Sequence, residues 1–515
     1  MHYIFWRTRE YQLLLLVILI NLIAGCNDDN TSQRPLTIAQ YDTADLNFTS
    51  DKSYSALTPW FNPFTQVNIQ LVLTSPSGRK LTVPGFFDGD GKGGPHGRNF
   101  KVRVSPDETG LWNWQLHSNL VELNNIQGEF NVTGSLQGTF SRGPISVSDK
   151  NSKRFAYADQ TPIFLLGKFL DKDQPLFLRF SHTLFSENWT NRQKNQLIKH
   201  QLSLGINKIN IYIANKGDYK SIATTPWLGT ASYNLKSRFD LQRWHEYENW
   251  ISRLRDEGIV AHLWLFADDS KFGNLTDAER ELLVRYSMAR LSGYVNTVFT
   301  LALEWQESFS EKEMRATGIL AQNNNPWDRL ISVHGIPVTA NIAESSTFFN
   351  EDWLDFIEIQ TGFIDHYGIN NLGLLYGNQQ DKPVILEEFS FGYNNDEERI
   401  KTWAALLTSP GGIGTGSGLN AITQFLKTVD ITKYQPVTNL INTNNAYTAS
   451  SHDGHAIVYI YRNGPVLFNK SSDDNYKGQW FDPRNGDYTG LPFIIDTDKP
   501  LTTPTKEDWV LVLKP

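Results

Sequence analysis

The chain contains very little sulfur, with one cysteine and three methionines in 515 residues. A single cysteine cannot form an intrachain disulfide, so the fold does not depend on disulfide bonds. The chain also lacks a strong excess of either charge, since 47 Lys and Arg face 55 Asp and Glu, a net charge of −8. A mildly acidic chain lacks the basic footprint of a nucleic-acid-binding protein, so no nucleic-acid partner is expected.

Several catalytic motifs are missing as well. The histidines show no His-Glu-x-x-His spacing, and no Gly-x-Ser-x-Gly elbow occurs. Residues 88–91 (Asp-Gly-Asp-Gly) begin like a calcium loop, but Lys92 and Asn99 occupy the fifth and twelfth positions and do not fit its ligand pattern. We therefore predict a glycine-rich turn there, and neither a metal nor a cofactor is expected.

Only one long hydrophobic run is present, at residues 13–23, and it follows a short basic head with Arg7 and Arg9. This run is shorter than the ~20 residues of a membrane-spanning helix and suits the core of a signal peptide. It ends in Leu-Ile-Ala-Gly-Cys (residues 22–26), which resembles the bacterial lipobox. The alternative is an uncleaved anchor with an incidental buried cysteine.

The lipobox resemblance implies that residues 1–25 are a lipoprotein signal peptide and that Cys26 is lipidated. Because Asn27 rather than Asp follows, it implies an anchor in the outer membrane of the bacterial cell envelope. A lipidated Cys26 is excluded as a catalytic nucleophile. Residues 26–44 are predicted to be a linker, and the oligomeric state is not predicted.

Three domains are predicted in the mature chain. Residues 45–145 contain short alternating strands separated by turn residues, which predicts an N-terminal β-sandwich. Residues 441–515 return to β-strands and predict a small C-terminal β-domain. Between them, residues 150–440 alternate apolar strands with amphipathic helices, as expected for a parallel sheet covered on both faces.

Helix start signals support the alternating pattern, because Asp240 can cap one helix and Thr276 with Glu279 has the spacing of a capping box. Eight such units predict a (β/α)8 barrel. An open doubly wound sheet is the alternative, but no glycine-rich phosphate loop follows the first strand. The strand candidates lie near Ile163, Ile209, Ala261, Phe299, Ile331, Ile357, Ile385 and Gly414.

Catalytic groups of a barrel enzyme lie where the strands end. Glu304 ends the fourth predicted strand, and Glu387 with Glu388 ends the seventh. Their separation, 388 − 304 = 84 residues, is close to the roughly 90 residues of three βα units. A pair of carboxyl groups is what glycosidic cleavage needs. Strand alternation predicts that Glu304 faces inward with Thr300 and that Leu303 faces the helices.

Two segments resemble clan A glycoside hydrolases. Residues 382–389 (Lys-Pro-Val-Ile-Leu-Glu-Glu-Phe) resemble the strand that carries the nucleophile, and residues 298–304 resemble the fourth strand, which ends in the acid/base. The resemblance implies that Glu388 is the nucleophile and Glu304 the acid/base, although Glu387 stays an alternative. The family has an Asn that contacts the sugar 2-hydroxyl where this chain has Leu303.

The flanking domains are similar to those of bacterial apiosidase-like and related glycosidases. The similarity lies in residues 86–91 and 104–112 of the leading module and in residues 480–486 and 507–511 of the trailing domain. It covers nearly the whole mature chain and implies a β-sandwich, a barrel and a C-terminal β-domain in that order.

Other polar and aromatic residues near the predicted strand ends suit a sugar site. For Tyr212 and Trp264, packing in the core is the alternative, and for His334 the alternative is a hydrogen-bonded histidine in the core. Trp227 has the alternative of anchoring a loop. The candidate substrate-binding residues are Asn210, Tyr212, Trp227, Trp264, Asp268, His334 and Gln360.

The sequence therefore predicts a lipid-anchored, retaining glycoside hydrolase acting on an oligo- or polysaccharide of plants or algae. A non-catalytic glycan-binding surface lipoprotein is the main alternative, and a polysaccharide lyase is a further one. The expected partners are a carbohydrate substrate and, through the lipid anchor, a membrane.

Overall fold

The computed structural model describes residues 36–167, 190–214, 226–229, 234–267, 274–338, 347–362, 364–379, 381–389, 395–414, 416, 418–469 and 476–515. The predicted signal peptide and Cys26 lie outside these ranges. Within them, no helix is both long and apolar enough to cross a membrane.

The amino-terminal module is one seven-stranded sheet. Its strands are β1 (Leu36–Gln40), β2 (Ala44–Ser55), β3 (Ile69–Thr74), β4 (Lys80–Phe87), β5 (His96–Val104), β6 (Gly110–Ser118) and β7 (Gln127–Ser135). The strand order is β1-β7-β6-β3-β4-β5-β2. The first five residues of β4 pair with β3 and its last three pair with β5, so β4 changes partner along its length. A short helix, α1 (Pro63–Gln66), follows β2.

The predicted linker of residues 26–44 is too long. Residues 36–40 form β1, which pairs in parallel with β7 through Leu36 and Phe130, and Ile38 is buried. The paired residues are 130 − 36 = 94 positions apart. A five-residue strand with so distant a partner has no local turn signal that would separate it from a linker.

A three-stranded antiparallel sheet follows, made of β8 (Ile145–Ser148), β9 (Asn151–Tyr157) and β10 (Pro162–Ile163). Phe155 and Tyr157 of this sheet belong to the same buried apolar cluster as Val260, Val298 and Ile385 from the strands described next. The sheet therefore closes the amino-terminal end of those strands, although residues 150–163 were predicted to belong to the barrel itself.

Eight parallel strands form a nearly closed, barrel-like sheet, here named the ring. They are β11 (Leu165–Leu166), β12 (Lys208–Ala214), β15 (Val260–Phe266), β16 (Thr297–Ala302), β17 (Ile331–Ser332), β18 (Ile357–Gln360), β19 (Val384–Glu388) and β20 (Gly412–Ile413). Two four-stranded sheets make up the ring, in the orders β12-β15-β16-β17 and β11-β20-β19-β18.

The two halves of the ring meet at both edges. A parallel bridge between His334 and Glu358 joins β17 to β18. On the other side, the backbone N–H of Asn207 donates to the carbonyl of Leu166 at 3.0 Å, which joins β12 to β11. The carboxyl ends of all eight strands therefore lie on one face, here named the carboxyl-end face.

Helices follow seven of the eight ring strands. They are α2 (Asn191–Ser203), α3 (Leu241–Asp256), α4 (Asp277–Leu291), α5 (Glu311–Asn323), α6 (His366–Gln379), α7 (Asp396–Thr408) and α8 (Leu419–Leu426). The described residues between β17 and β18 contain no α-helix. A hairpin of β13 (Trp227–Gly229) and β14 (Asn234–Phe239) lies between β12 and α3.

Two predicted helix starts are confirmed. The side chain of Asp240 accepts a hydrogen bond from the backbone N–H of Arg243 and caps α3. Thr276 and Glu279 form a reciprocal capping box at α4. Each cap satisfies backbone N–H groups that the helix itself cannot pair. The predicted apolar face of α3 is buried, namely Leu241, Trp244, Tyr247, Trp250, Ile251 and Leu254.

A buried ionic network joins the amino-terminal module to α3 and α4. Arg103 of β5 and Arg290 of α4 both contact Glu248 Oε1 of α3 at 2.6 Å, and Arg290 also contacts Asp88 at 2.8 Å. Burial opposes ionisation of Asp88, but the charges of Arg290, His245 and Lys101 hold the pKa of this carboxyl well below its usual range. Opposite charges thus neutralise one another inside the interface.

The Asp-Gly-Asp-Gly motif of residues 88–91 is a tight turn. Asp90 Oδ1 accepts the backbone N–H groups of Lys92 and Gly94, both at 2.8 Å, and Gly91 has φ +77°. Asp88 pairs with Arg290, so the carboxylates of both Asp88 and Asp90 bind protein groups. This is the arrangement expected of a glycine-rich turn.

The C-terminal sheet has six strands in the order β21-β22-β23-β26-β24-β25. They are β21 (Tyr434–Pro436), β22 (Ala446–Ser451), β23 (Ala456–Ile460), β24 (Lys477–Phe481), β25 (Tyr488–Ile494) and β26 (Trp509–Lys514). The sheet begins before the predicted boundary at residue 441. It packs on α7, where Trp403 stacks on Tyr459 at 5.3 Å and Arg399 pairs with Asp508 at 2.7 Å.

Candidate active site

The two predicted catalytic carboxylates lie at the ends of two ring strands. Glu304 comes two residues after the end of β16, and Glu388 is the last residue of β19. Because β16 and β19 are parallel members of the ring, both glutamates lie on the carboxyl-end face. Sequence spacing and strand assignment thus place both at the ends of the fourth and seventh strands, as predicted.

Glu304 occupies an unusual backbone conformation, with φ 41° and ψ 53° in the left-handed region. A non-glycine residue in this region is strained, and such strain is found at functional sites. The turn is held from two neighbouring strands, because Leu303 N–H donates to Phe266 O at 2.9 Å and Trp305 N–H donates to His334 O at 3.1 Å.

The predicted direction of Leu303 was wrong. Thr300 does face the ring interior, but Leu303 packs against Tyr212, Trp264 and Ala267 instead of facing the helices. The strand ends at Ala302, and Glu304 two residues later adopts the left-handed conformation. This turn breaks the two-residue alternation on which the prediction relied.

Glu388 is held by the neighbouring strand β18. Its carboxylate Oε2 accepts a hydrogen bond from Gln360 Nε2 at 3.0 Å, and its backbone carbonyl accepts from Thr361 N–H at 3.0 Å. The pairing shifts by one residue between Ile359 and Gln360, which brings Gln360 opposite Glu388. Gln360, predicted to bind substrate, therefore contacts the candidate nucleophile directly.

Glu387 points into the ring interior. It is fully buried, and its carboxylate accepts bonds from Lys208 Nζ at 2.7 and 3.1 Å and from Asn210 Nδ2 at 2.8 Å. This placement separates the two adjacent glutamates. Glu387 belongs to an interior ion pair, and Glu388 is the glutamate that ends the strand, as the motif alignment favoured.

Asn210 was predicted to lie at a strand end and bind substrate, and this is corrected. The strand β12 continues to Ala214, so Asn210 lies in its middle and binds Glu387 and Lys208 inside the ring. The sequence does not reveal this position, because the apolar run around Asn210 gives no indication of where the strand ends.

A second group of buried polar residues lies beside this ion pair. Thr300 Oγ1 donates to Glu358 Oε2 at 2.5 Å, and His262 Nε2 lies 2.6 Å from Thr300 Oγ1 and 3.3 Å from Glu358 Oε1. Burial, followed by the charge of Glu387, raises the pKa of Glu358 to about 8. Burial, followed by the charge of Lys208, lowers the pKa of His262.

Sequence reasoning missed these interior residues. Lys208, His262 and Glu358 are ionisable side chains within otherwise apolar strand runs, and that is the one signal that could have identified them. At neutral pH, the shifts leave Glu358 protonated and His262 uncharged. Lys208 and Glu387 therefore form a balanced ion pair in the part of the ring interior that the structure describes.

His262, Glu358 and Glu387 could offer ligands to a cation, since one donor atom from each lies within 4.8 Å of the others. The ammonium of Lys208 already stands among them, 2.7 Å from Glu387 Oε1 and 3.2 Å from His262 Nδ1. A metal ion would have to displace this ammonium, so the arrangement favours a lysine-centred cluster over a metal site.

Three aromatic side chains lie above the polar cluster, towards the carboxyl-end face. Trp264 contacts Tyr212 with ring centroids 5.6 Å apart and His334 at 5.0 Å. All three are buried. Burial, followed by the charge of Lys208, lowers the pKa of His334 to about 3, so this imidazole is neutral. The burial of Tyr212 and Trp264 agrees with the alternative that they pack in the core beneath the site. Neither ring nitrogen of His334 has a hydrogen-bond partner among the described residues, so His334 is buried but does not fit the alternative of a hydrogen-bonded core histidine.

Trp227, predicted to be a sugar platform, is corrected. Its side chain is 1% exposed and belongs to the main apolar core. The alternative prediction, that Trp227 anchors its loop, fits this position, because burial in the core leaves neither ring face open for a sugar. Asp268, also predicted to bind substrate, lies outside the described residues.

Two family models match parts of the chain. Residues 37–119 match a family described as "Domain of unknown function (DUF5060)", and residues 437–514 match one described as "Putative collagen-binding domain of a collagenase". The first match covers most of the amino-terminal module but not β7, and the second covers the C-terminal sheet from β22 onwards. No curated protein matches the chain significantly.

Solved structures of glycoside hydrolases share the fold. One is "a putative glycoside hydrolase" from Bacteroides vulgatus, with TM-score 0.71 and 18% identity, covering 93% of this chain and 99% of its own. A second is a family 5 glycoside hydrolase from the same organism, with TM-score 0.57 and 13% identity, covering 73% and 94%. A third, described as "Glycoside hydrolase", has TM-score 0.55 and 14% identity, covering 74% and 98%. At these identities the likeness establishes a common fold.

Proposed function

We propose that the protein is a retaining glycoside hydrolase in which Glu388 is the nucleophile and Glu304 the acid/base. One observation carries the proposal: on the carboxyl-end face of the ring, Glu304 follows the fourth strand by two residues and Glu388 ends the seventh. Paired carboxyl groups are the machinery of glycosidic cleavage, and the shared fold with glycoside hydrolases supports the same reaction class.

The proposal also assigns a domain type to each of the three parts of the chain. We take the ring with its surrounding helices to be a (β/α)8 barrel, the amino-terminal sheet to be a β-sandwich module, and the C-terminal sheet to be an accessory domain. The apiosidase-like resemblance of the flanking modules supports this order.

The chemistry follows from the two positions. Ionised Glu388 attacks the anomeric carbon while Glu304 gives its proton to the leaving glycosidic oxygen, and a glycosyl ester on Glu388 forms. Glu304 then takes a proton from a water molecule, whose oxygen attacks the anomeric carbon and releases Glu388. Gln360, bonded to Glu388 Oε2 at 3.0 Å, orients the attacking carboxylate.

The proposed substrate is an oligo- or polysaccharide of plant or algal origin. Leu303 stands where related hydrolases have an Asn that contacts the sugar 2-hydroxyl, and it packs on Tyr212 and Trp264. This enzyme would therefore hold the 2-hydroxyl with a different group or leave it without a contact from that position.

Incubation of the full chain with a broad panel of polysaccharides, followed by product analysis, tests the function. Reducing-end products from at least one glycan support the hydrolase. Binding without product supports the non-catalytic glycan-binding alternative, and a new ultraviolet-absorbing double bond supports a polysaccharide lyase.

We further propose that Cys26 is lipidated and tethers the enzyme to the outer membrane. Dual or triple acylation gives stable anchoring, because each buried CH₂ contributes about 0.8 kcal/mol. A C26A variant is expected to leave the membrane fraction, and recovery of that variant with membranes would contradict the anchor.

A further inference from the structure

A charged pair lies immediately beside the candidate nucleophile in sequence, in the buried interior of the ring. Lys208 and Glu387 both have side chains that are 0% exposed, and they contact at 2.7 Å. Taking two charges out of water is costly, and an apolar pair of similar volume would serve stability as well or better. The pair therefore calls for an explanation beyond stability.

The ring is built to accommodate this pair. A Cβ atom at Gly414, which directly follows the neighbouring strand β20, would lie 2.0 Å from Glu387 Oε2, and a Cβ at Gly167 would lie 3.1 Å from Lys208 Cε. Neither glycine has a positive φ, so neither is required by its backbone conformation. Space for the ion pair is the physical reason for a glycine at 414.

The pair also spans the ring. Lys208 is on β12 and Glu387 on β19, and these strands are not neighbours in the sheet. The ammonium of Lys208 and the amide of Asn210 give the Glu387 carboxylate three contacts of 2.7 to 3.1 Å. The end of β19 is thus tied across the interior to the opposite side of the ring.

Glu388 is the next residue, so its backbone is fixed from two directions. Glu387 ties one side to the interior, and Thr361 N–H binds the Glu388 carbonyl on the other at 3.0 Å. Catalysis by an oriented carboxylate is sensitive to displacement, since a shift of about 1 Å can cost roughly 100-fold in rate.

We propose that Lys208 and Glu387 are positioning residues, which hold the end of β19 so that the carboxylate of Glu388 meets the anomeric carbon. This inference rests on the proposed function. It gives the ion pair a role in the catalytic rate and none in substrate binding. Loss of the pair is therefore expected to lower kcat and to leave KM unchanged.

Two variants of different kinds test the proposal on the glycan that the wild type hydrolyses. K208M/E387M replaces the pair with apolar side chains that fill the interior, and G414A pushes the Glu387 carboxylate aside without removing it. Each is expected to lower kcat at least tenfold at constant KM. E387Q keeps the shape of Glu387 and an oxygen for Lys208. The lost counter-charge should lower its Tm, but the folded variant should retain kcat within about threefold.

D508N is the matched control, since it breaks the buried pair of Arg399 and Asp508 on the C-terminal sheet. It should lower Tm without changing kcat. Wild-type kcat in G414A, or in a folded K208M/E387M, overturns the positioning role. If E388A is inactive while both test variants keep wild-type kcat, the proposed function stands and this inference fails. If E388A keeps hydrolysing, the proposed function itself fails.

Discussion

At the scale of single residues, environment separates carboxyl groups that the sequence makes look alike. Glu387 and Glu388 are neighbours, yet the first is bound by Lys208 inside the ring and the second by Gln360 at its end. Within the described residues, Glu358 is buried with no cation at hydrogen-bond distance, and it stays protonated near neutral pH because its pKa is raised to about 8. Three glutamates thus lie in three different local environments.

Glu358 gives a prediction about pH and stability. Its folded pKa of about 8 lies above the roughly 4.3 of an unfolded glutamate, so between these values the unfolded chain releases a proton that the folded protein keeps. Stability therefore falls as pH rises through this window, by at most about 1.4 kcal/mol per pH unit. E358Q removes this loss, and its Tm relative to wild type should rise between pH 5 and pH 8.

Thermal unfolding at both pH values checks this, with E281Q as the control because the Glu281 side chain is 51% exposed. The E281Q difference should be the same at pH 5 and pH 8. A pH-independent difference for E358Q would show that Glu358 is ionised in the folded protein.

At the scale of elements, close packing rather than helix propensity decides which residue is most stable at some helix positions. Gly318 lies within α5, where a Cβ would sit 2.2 Å from Trp353 Cδ2, and Trp353 is buried. In an exposed helix, Gly to Ala stabilises by about 1 kcal/mol. Here the contact with the indole reverses the expected sign.

We expect G318A to destabilise the protein by about 1–3 kcal/mol, because the added methyl group overpacks the contact between α5 and Trp353. The matched control is A316G at an exposed position of the same helix, which should cost about 1 kcal/mol through lost helix propensity. Chemical denaturation of both variants gives the comparison, and a G318A variant more stable than wild type would contradict the packing argument.

At the scale of the whole molecule, the flanking modules are attached by charges as well as by apolar contacts. The amino-terminal module meets α3 and α4 through Asp88, Arg103, Glu248 and Arg290, and the C-terminal sheet meets α7 through Arg399 and Asp508. Breaking a buried pair by removing one partner is strongly destabilising, because the other charge is left without compensation. The modules therefore stabilise the ring through buried contacts and are not joined to it by the chain alone.

D88N is expected to lower the free energy of unfolding by about 3 kcal/mol at pH 7, since Arg290 loses one of its two carboxylate partners. The control is D256N, whose carboxylate is 66% exposed and should contribute little. Calorimetry measures both, and equal Tm values for D88N and D256N would show that the network does not brace the interface.

Local sequence signals predicted the parts of this fold that depend on interactions between residues close together in the sequence. The caps at Asp240 and Thr276, the strand runs and the two terminal glutamates all follow from short patterns. What failed depends on distant partners: β1 pairs 94 residues away (130 − 36), and Trp227 is covered by the core. Lys208 was missed because its partner Glu387 lies 179 residues further along and across the ring.

The most direct test of the proposed chemistry is rescue of an E388A variant by azide. On a glycan that the wild type cleaves, E388A should lose nearly all hydrolysis, and azide should restore turnover and give a glycosyl azide of inverted anomeric configuration, because it enters the space left by the carboxylate. Hydrolysis by E388A at the wild-type rate without azide would contradict the assignment of Glu388 as the nucleophile.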